Sequence, residues 1–138
     1  MQQNLVALLA IAILTVPVSS FAGPRDGLLA QYATAAGKET PAFSGFSAAR
    51  GKTLHTQKFA GGKPDTPACT TCHSENTRGA GRTLTGKAIE AVAVSVTPQR
   101  YTDPAKVEKW FKRNCNEVLG RACTAQEKGD WLSYMISQ

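Results

Sequence analysis

The run Cys69-Thr70-Thr71-Cys72-His73 constrains this chain more than any other feature in it. Two thiols separated by two residues share one tight turn, and the next residue sets an imidazole beside them. That spacing lets both thiols add across the two vinyl groups of a single porphyrin, while the ring nitrogen meets the iron from the same side. CxxCH therefore reads as an attachment site for one c-type haem. Cys69 and Cys72 are the thioether residues and His73 is an axial iron ligand. The flanking segments, GGKPDTPA before the motif and NTRGAGRTLTGK after it, read as loops from their glycines and their lack of apolar period.

Three rival readings of the motif are weaker. A thioredoxin-like redox pair needs a βαβ setting, and no β-type alternation of useful length is visible. A four-cysteine zinc site needs a second closely spaced pair, whereas Cys115 and Cys123 lie further apart. The third is a chance CxxCH holding a structural disulfide. The chain has four cysteines. Two thioethers leave Cys115 and Cys123 to pair with each other, which an oxidising compartment favours.

The N-terminus points to such a compartment. An apolar run from Leu5 to Val18 ends in Ser19, Ser20, Phe21 and Ala22, the pattern of a secretory signal cut after Ala22, although no Lys or Arg precedes it. A retained anchor is the competing reading, and the run is short against the roughly 20 residues that a bilayer span requires. Residues 1–22 are thus expected to be a cleaved signal and 23–138 one small periplasmic domain. The formal charge is +6, with no charged residue among the first 22. Much of the excess sits in Lys106, Lys109, Lys112, Arg113 and Arg121 and suits docking onto an acidic partner protein. Nucleic acid is excluded as a partner: the charge is dispersed, no nucleic-acid motif occurs, and the chain is exported.

The rest of the sequence reads as all-α. A weak first helix is expected over residues 28–36 and a second over 47–59. Asp103 before Pro104 reads as an N-cap with proline at the first helical position. Behind it, Val107, Trp110, Phe111 and Asn114 fall on one face. Thr124 with Glu127 fits a capping box, opening a C-terminal helix whose apolar face holds Trp131, Leu132, Met135 and Ile136.

The ligand opposite His73 decides the chemistry, because it governs potential and access to the iron. No Met lies between the haem motif and the C-terminal helix, where an ordinary small cytochrome c carries one. Met135 lies on that helix's apolar face and reads as core. His55, the other histidine, reads as a partly buried structural residue or as a distal ligand. Asn114 puts an amide on an otherwise apolar stripe, which is costly without a partner; it is either a satisfied capping residue or a ligand.

From GGKPDTPACTTCH through TPQRYTDPAKVEKWFKRNCNEVLGRACTAQEKGD, the chain closely resembles the sphaeroides haem protein (SHP) family of monohaem c-type cytochromes. The RNCxxxxGRxC segment is far more specific than CxxCH. The resemblance implies a small cytochrome c-like fold of class I type, His73 and Asn114 as axial ligands, and a Cys115–Cys123 disulfide near the haem. It further implies that the Asn bond breaks on reduction, so that ferrous haem binds oxygen, NO or CO. A dihaem cytochrome c and a membrane cytochrome b are the implied redox partners. A backbone carbonyl near Ala91 would orient His73, at a point where GKAIEAVAVS lacks the proline the resemblance leads one to expect.

Two other classes compete with an electron-transferring, ligand-binding cytochrome. One is a plain carrier with a permanently six-coordinate haem, ligated by Met135 or His55. The other is an enzyme reducing a small molecule at the open iron. Peroxidase-like work needs a distal acid–base group, for which His55 is the one imidazole available.

Overall fold

A computed structural model describes residues 23–138. Their elements run, in order, α1 (Pro24–Glu39), α2 (Ala48–Thr56), a 3-10 turn (Cys69–Thr71), β1 (Gly81–Arg82), β2 (Ala88–Ile89), α3 (Pro104–Leu119) and α4 (Ala125–Ser137). The expected signal over residues 1–22, and the competing anchor, lie outside the described residues. Among the described residues no helix is long and apolar enough to cross a membrane.

Each helix begins where its sequence supplies a cap. Pro24 stands in the first turn of α1, and the Gly23 amide donates to the Asp26 carboxylate at 2.8 Å. The Ser47 hydroxyl accepts from the Arg50 amide at the start of α2. The Asp103 carboxylate caps α3, which ends at Gly120 in the left-handed region with φ 72°. Thr124 and Glu127 form a reciprocal capping box on α4. These contacts satisfy amides that the first turn leaves without intrahelical partners.

Both α1 and α2 pack on α4. Leu28 and Tyr32 of α1, Val107, Phe111 and Cys115 of α3, and Leu132 of α4 make one core cluster. Val92, Tyr134 and Met135 make a second. Gly51 brings α2 closest to α4: a Cβ there would fall 2.0 Å from the Asp130 carbonyl oxygen. At the same crossing, the buried Asp130 carboxylate accepts from the Ser47 amide at 2.7 Å and from the Arg50 guanidinium at 2.7 and 2.8 Å.

The fold corrects several expectations in detail. The first helix starts at Pro24, four residues before the expected Leu28, because Pro24 and Asp26 open it. The second stops at Thr56, where Gln57 turns to extended backbone. The segment after the haem motif is not all loop: Gly81 pairs with Ile89 and Arg82 with Ala88, antiparallel. Strands of two residues leave no alternation to read.

On α3 the buried stripe is Val107, Phe111, Cys115, Val118 and Leu119. Trp110 is 44% exposed and Asn114 only half-buried. Packing centres on Phe111, which sits edge-on to Tyr32 and Trp131. On α4, Tyr134 is buried and Ile136 exposed. Of the basic residues read as a docking face, two are engaged within the fold: Arg113 pairs with Glu117 and Arg121 with Glu127.

Candidate haem site

The motif is held by its own backbone. The Cys72 and His73 amides both donate to the Cys69 carbonyl, at 3.3 and 2.9 Å, closing the turn that sets the two thiols side by side. β1 clamps it from outside: the Arg82 amide donates to the Cys72 carbonyl at 2.8 Å. Gly81 makes that approach possible, since a Cβ there would lie 2.2 Å from the same oxygen.

Neither Cys69 nor Cys72 takes part in a disulfide. Burial pushes the Cys69 thiol up to about 11, so it is protonated at neutral pH. A redox-active dithiol needs the opposite shift. Cys115 and Cys123 are joined, with Cα atoms 5.6 Å apart, which removes them from any four-cysteine zinc site. Among the described residues, no group of three or more His, Cys, Asp or Glu side chains could hold a bare metal ion.

Burial, reinforced by the neighbouring His55 and Arg100, pushes the His73 imidazole down to about 4. It is neutral at physiological pH, with a lone pair free for a metal. Its Nδ1 is buried without a hydrogen-bond partner among the described residues. Two unpaired thiols on one turn beside a neutral imidazole fit a covalently held haem.

The other candidates differ in how far they are already committed. His55 is fully buried. Its Nδ1 accepts from Trp131 Nε1 at 3.3 Å, and its Nε2 lies 3.1 Å from the Ser74 carbonyl. Met135 is also fully buried, packed with Val92 and Tyr134. Asn114 is half-buried, and its side chain makes no hydrogen bond among the described residues. It directly precedes Cys115, whose disulfide ties α3 to the start of α4.

In the stretch near Ala91, where a backbone carbonyl would orient His73, the Ala91 carbonyl is held by other groups. It accepts from Thr97 Oγ1 at 2.9 Å and from Arg100 Nε at 2.6 Å, and Arg100 also donates to the Glu90 carbonyl. Arg100 holds the strap after β2 and was not legible in the sequence. A lone charge in the loop TPQRYT carries no periodic or motif signal.

Known proteins resemble this chain over most of its length. Residues 41–135 match a family described as a domain of unknown function, DUF1924. The cytochrome c-type protein SHP of Cereibacter sphaeroides is 47% identical over 131 residues, covering 95% of this chain and 97% of that protein. Cytochrome c'' of Methylophilus methylotrophus is 32% identical over 114 residues, covering 82% of this chain and 79% of that one. The solved structure of oxidised SHP, described as an oxygen-binding cytochrome c, matches with a TM-score of 0.77 and covers 86% of this chain and 100% of that one. Oxidised cytochrome c'' matches with a TM-score of 0.73 at 31% identity, over 83% of this chain and 94% of that one. With likeness running along nearly its whole length and a turn built to hold haem c covalently, this chain belongs to the SHP family of c-type cytochromes.

Proposed function

We propose that this protein is a periplasmic monohaem cytochrome that transfers electrons, and that its distal ligand, Asn114, dissociates on reduction to admit oxygen or another small diatomic molecule. The observation that carries this reading is the contrast among the three candidate distal residues. His55 has both ring nitrogens engaged and Met135 is sealed in the core, whereas the Asn114 amide is uncommitted beside a disulfide that fixes its backbone.

Haem, when attached, supplies a one-electron iron couple and an exchangeable coordination position. Cys69 and Cys72 would hold the macrocycle through thioethers, and His73 would offer its neutral imidazole to the iron. Asn114 offers an amide oxygen, a hard donor that favours ferric over the softer ferrous iron. Such a donor would hold reduced iron less firmly than a thioether would. Two relatives point the same way in their own descriptions: SHP as oxygen-binding, and cytochrome c'' through haem-ligand detachment. Upstream, a dihaem cytochrome c and a membrane cytochrome b fit as electron donors, reached through the exposed Lys106, Lys109 and Lys112.

Visible spectra of the oxidised, reduced and carbon monoxide-treated reduced protein test the reading. A low-spin ferric form without a far-red Met band, turning high-spin and binding carbon monoxide on reduction, is expected. A reduced form that stays low-spin and ignores carbon monoxide would make this a closed electron carrier. Turnover of oxygen, peroxide or a nitrogen oxide with a chemical reductant would mark an enzyme instead.

A further inference from the structure

We infer that His55 and Trp131 form a buried positioning relay that fixes the backbone immediately after the haem motif and so sets the orientation of His73. The inference rests on His73 being the proximal ligand.

The direction of each hydrogen bond follows from the donor inventory. An indole N–H can only donate, so Trp131 Nε1 gives its proton to His55 Nδ1. The single imidazole proton must then sit on Nε2, which donates to the Ser74 carbonyl oxygen at 3.1 Å. Ser74 is the residue after His73, and its carbonyl is thereby tied to α4 through two side chains. Burial lowers the pKa of His55, which keeps the ring in the neutral form this chain of bonds requires.

His55 has 0% of its surface exposed. Its ring centroid lies 6.2 Å from that of Trp131 and 6.0 Å from that of Tyr134, and Trp131 stands edge-on to Tyr101 and Phe111. The imidazole therefore has no room to swing. A buried polar ring costs stability unless both nitrogens are satisfied, and an apolar residue would fill this crossing of α2 and α4 without that cost. What histidine adds is a bond to a carbonyl one residue from the iron ligand. The backbone before His73 is held by the Cys69 turn and by β1; the relay supplies the hold on the far side. Groups that orient a metal-ligating imidazole tune the metal through it.

Proton NMR of the oxidised holoprotein tests this, with the His73 ring protons as reporters because the iron shifts them strongly. In wild type these resonances should be hyperfine-shifted; if they are not, His73 is not the ligand and the inference falls with that assignment. His55→Phe should move them, and His55→Gln, whose amide can still donate to Ser74, should return them towards the wild-type positions. Trp131→Phe keeps the packing but removes the donor, so it should move them in the same direction by less. It also decides the matter if His55→Phe does not fold. Leu132→Ala, a core truncation outside the relay, should lower the melting temperature while leaving the resonances in place. Unmoved resonances in both relay variants, or equal movement in Leu132→Ala, would overturn the inference.

Discussion

Gly51 of α2 sits directly on the backbone of Asp130 in α4, so close that even a methyl group has no space between them. The two helices meet backbone to backbone at this point, and the haem motif follows α2 along the chain. Gly51→Ala must push the helices apart, and overpacking of this kind costs about 1–3 kcal/mol. Chemical denaturation of the holoprotein should show that loss. An unchanged midpoint would mean the crossing is looser than described.

Asn114→Ala should leave an open, high-spin ferric haem, whereas Met135→Leu and His55→Phe should keep the ferric form low-spin. Met135→Leu nearly conserves volume, so its stability cost should stay below about 1.5 kcal/mol. Ferric visible spectra of the three variants settle the assignment. If Met135→Leu alone abolished the low-spin signature, Asn114 would not be the ligand.

The Cys115–Cys123 bond closes a short loop with a sequence separation of 8. Replacing both cysteines by alanine should cost about 2–3 kcal/mol on a loop-entropy estimate. Denatured holoprotein should titrate no free thiol until a reductant opens this bridge. Free thiol before reduction would show that either the bridge or a thioether is missing.

Glu127 supplies a dependence on pH. The Arg121 hydrogen bond, helped by the Thr124 amide and opposed by burial, holds its carboxyl below the ordinary value of 4.5. A carboxylate depressed in the folded state stabilises it above the unfolded pKa, and that contribution is lost as pH falls through the folded one. The pair is partly exposed, so the effect is about 0.5–1 kcal/mol. Glu127→Gln should be less stable than wild type near neutral pH, and the difference should shrink as pH falls below the ordinary value of 4.5 and the native carboxylate is protonated. A constant difference across that range would assign the loss to the capping box alone.

The helix caps at Asp103 and Thr124 were readable because a cap acts over three or four residues. So was the haem motif, whose chemistry lies within five consecutive positions. The start of α1 at Pro24 also has a local signal, Pro24 with Asp26, weaker than a side-chain cap. The pairing of β1 with β2 leaves no trace in the sequence, because its strands are too short to carry a pattern.

What this chain can attach, and where its helices begin, depends on neighbours along the backbone and is therefore written in short stretches of the sequence. Tertiary structure alone decided which face of α3 is buried, since Phe111 rather than Trp110 meets Tyr32 and Trp131. It also decided that His55 is bonded at both nitrogens and that Arg100 occupies the Ala91 carbonyl. Each of these joins groups far apart in sequence, and only the packing of α2, α3 and α4 brings them within hydrogen-bonding or van der Waals reach.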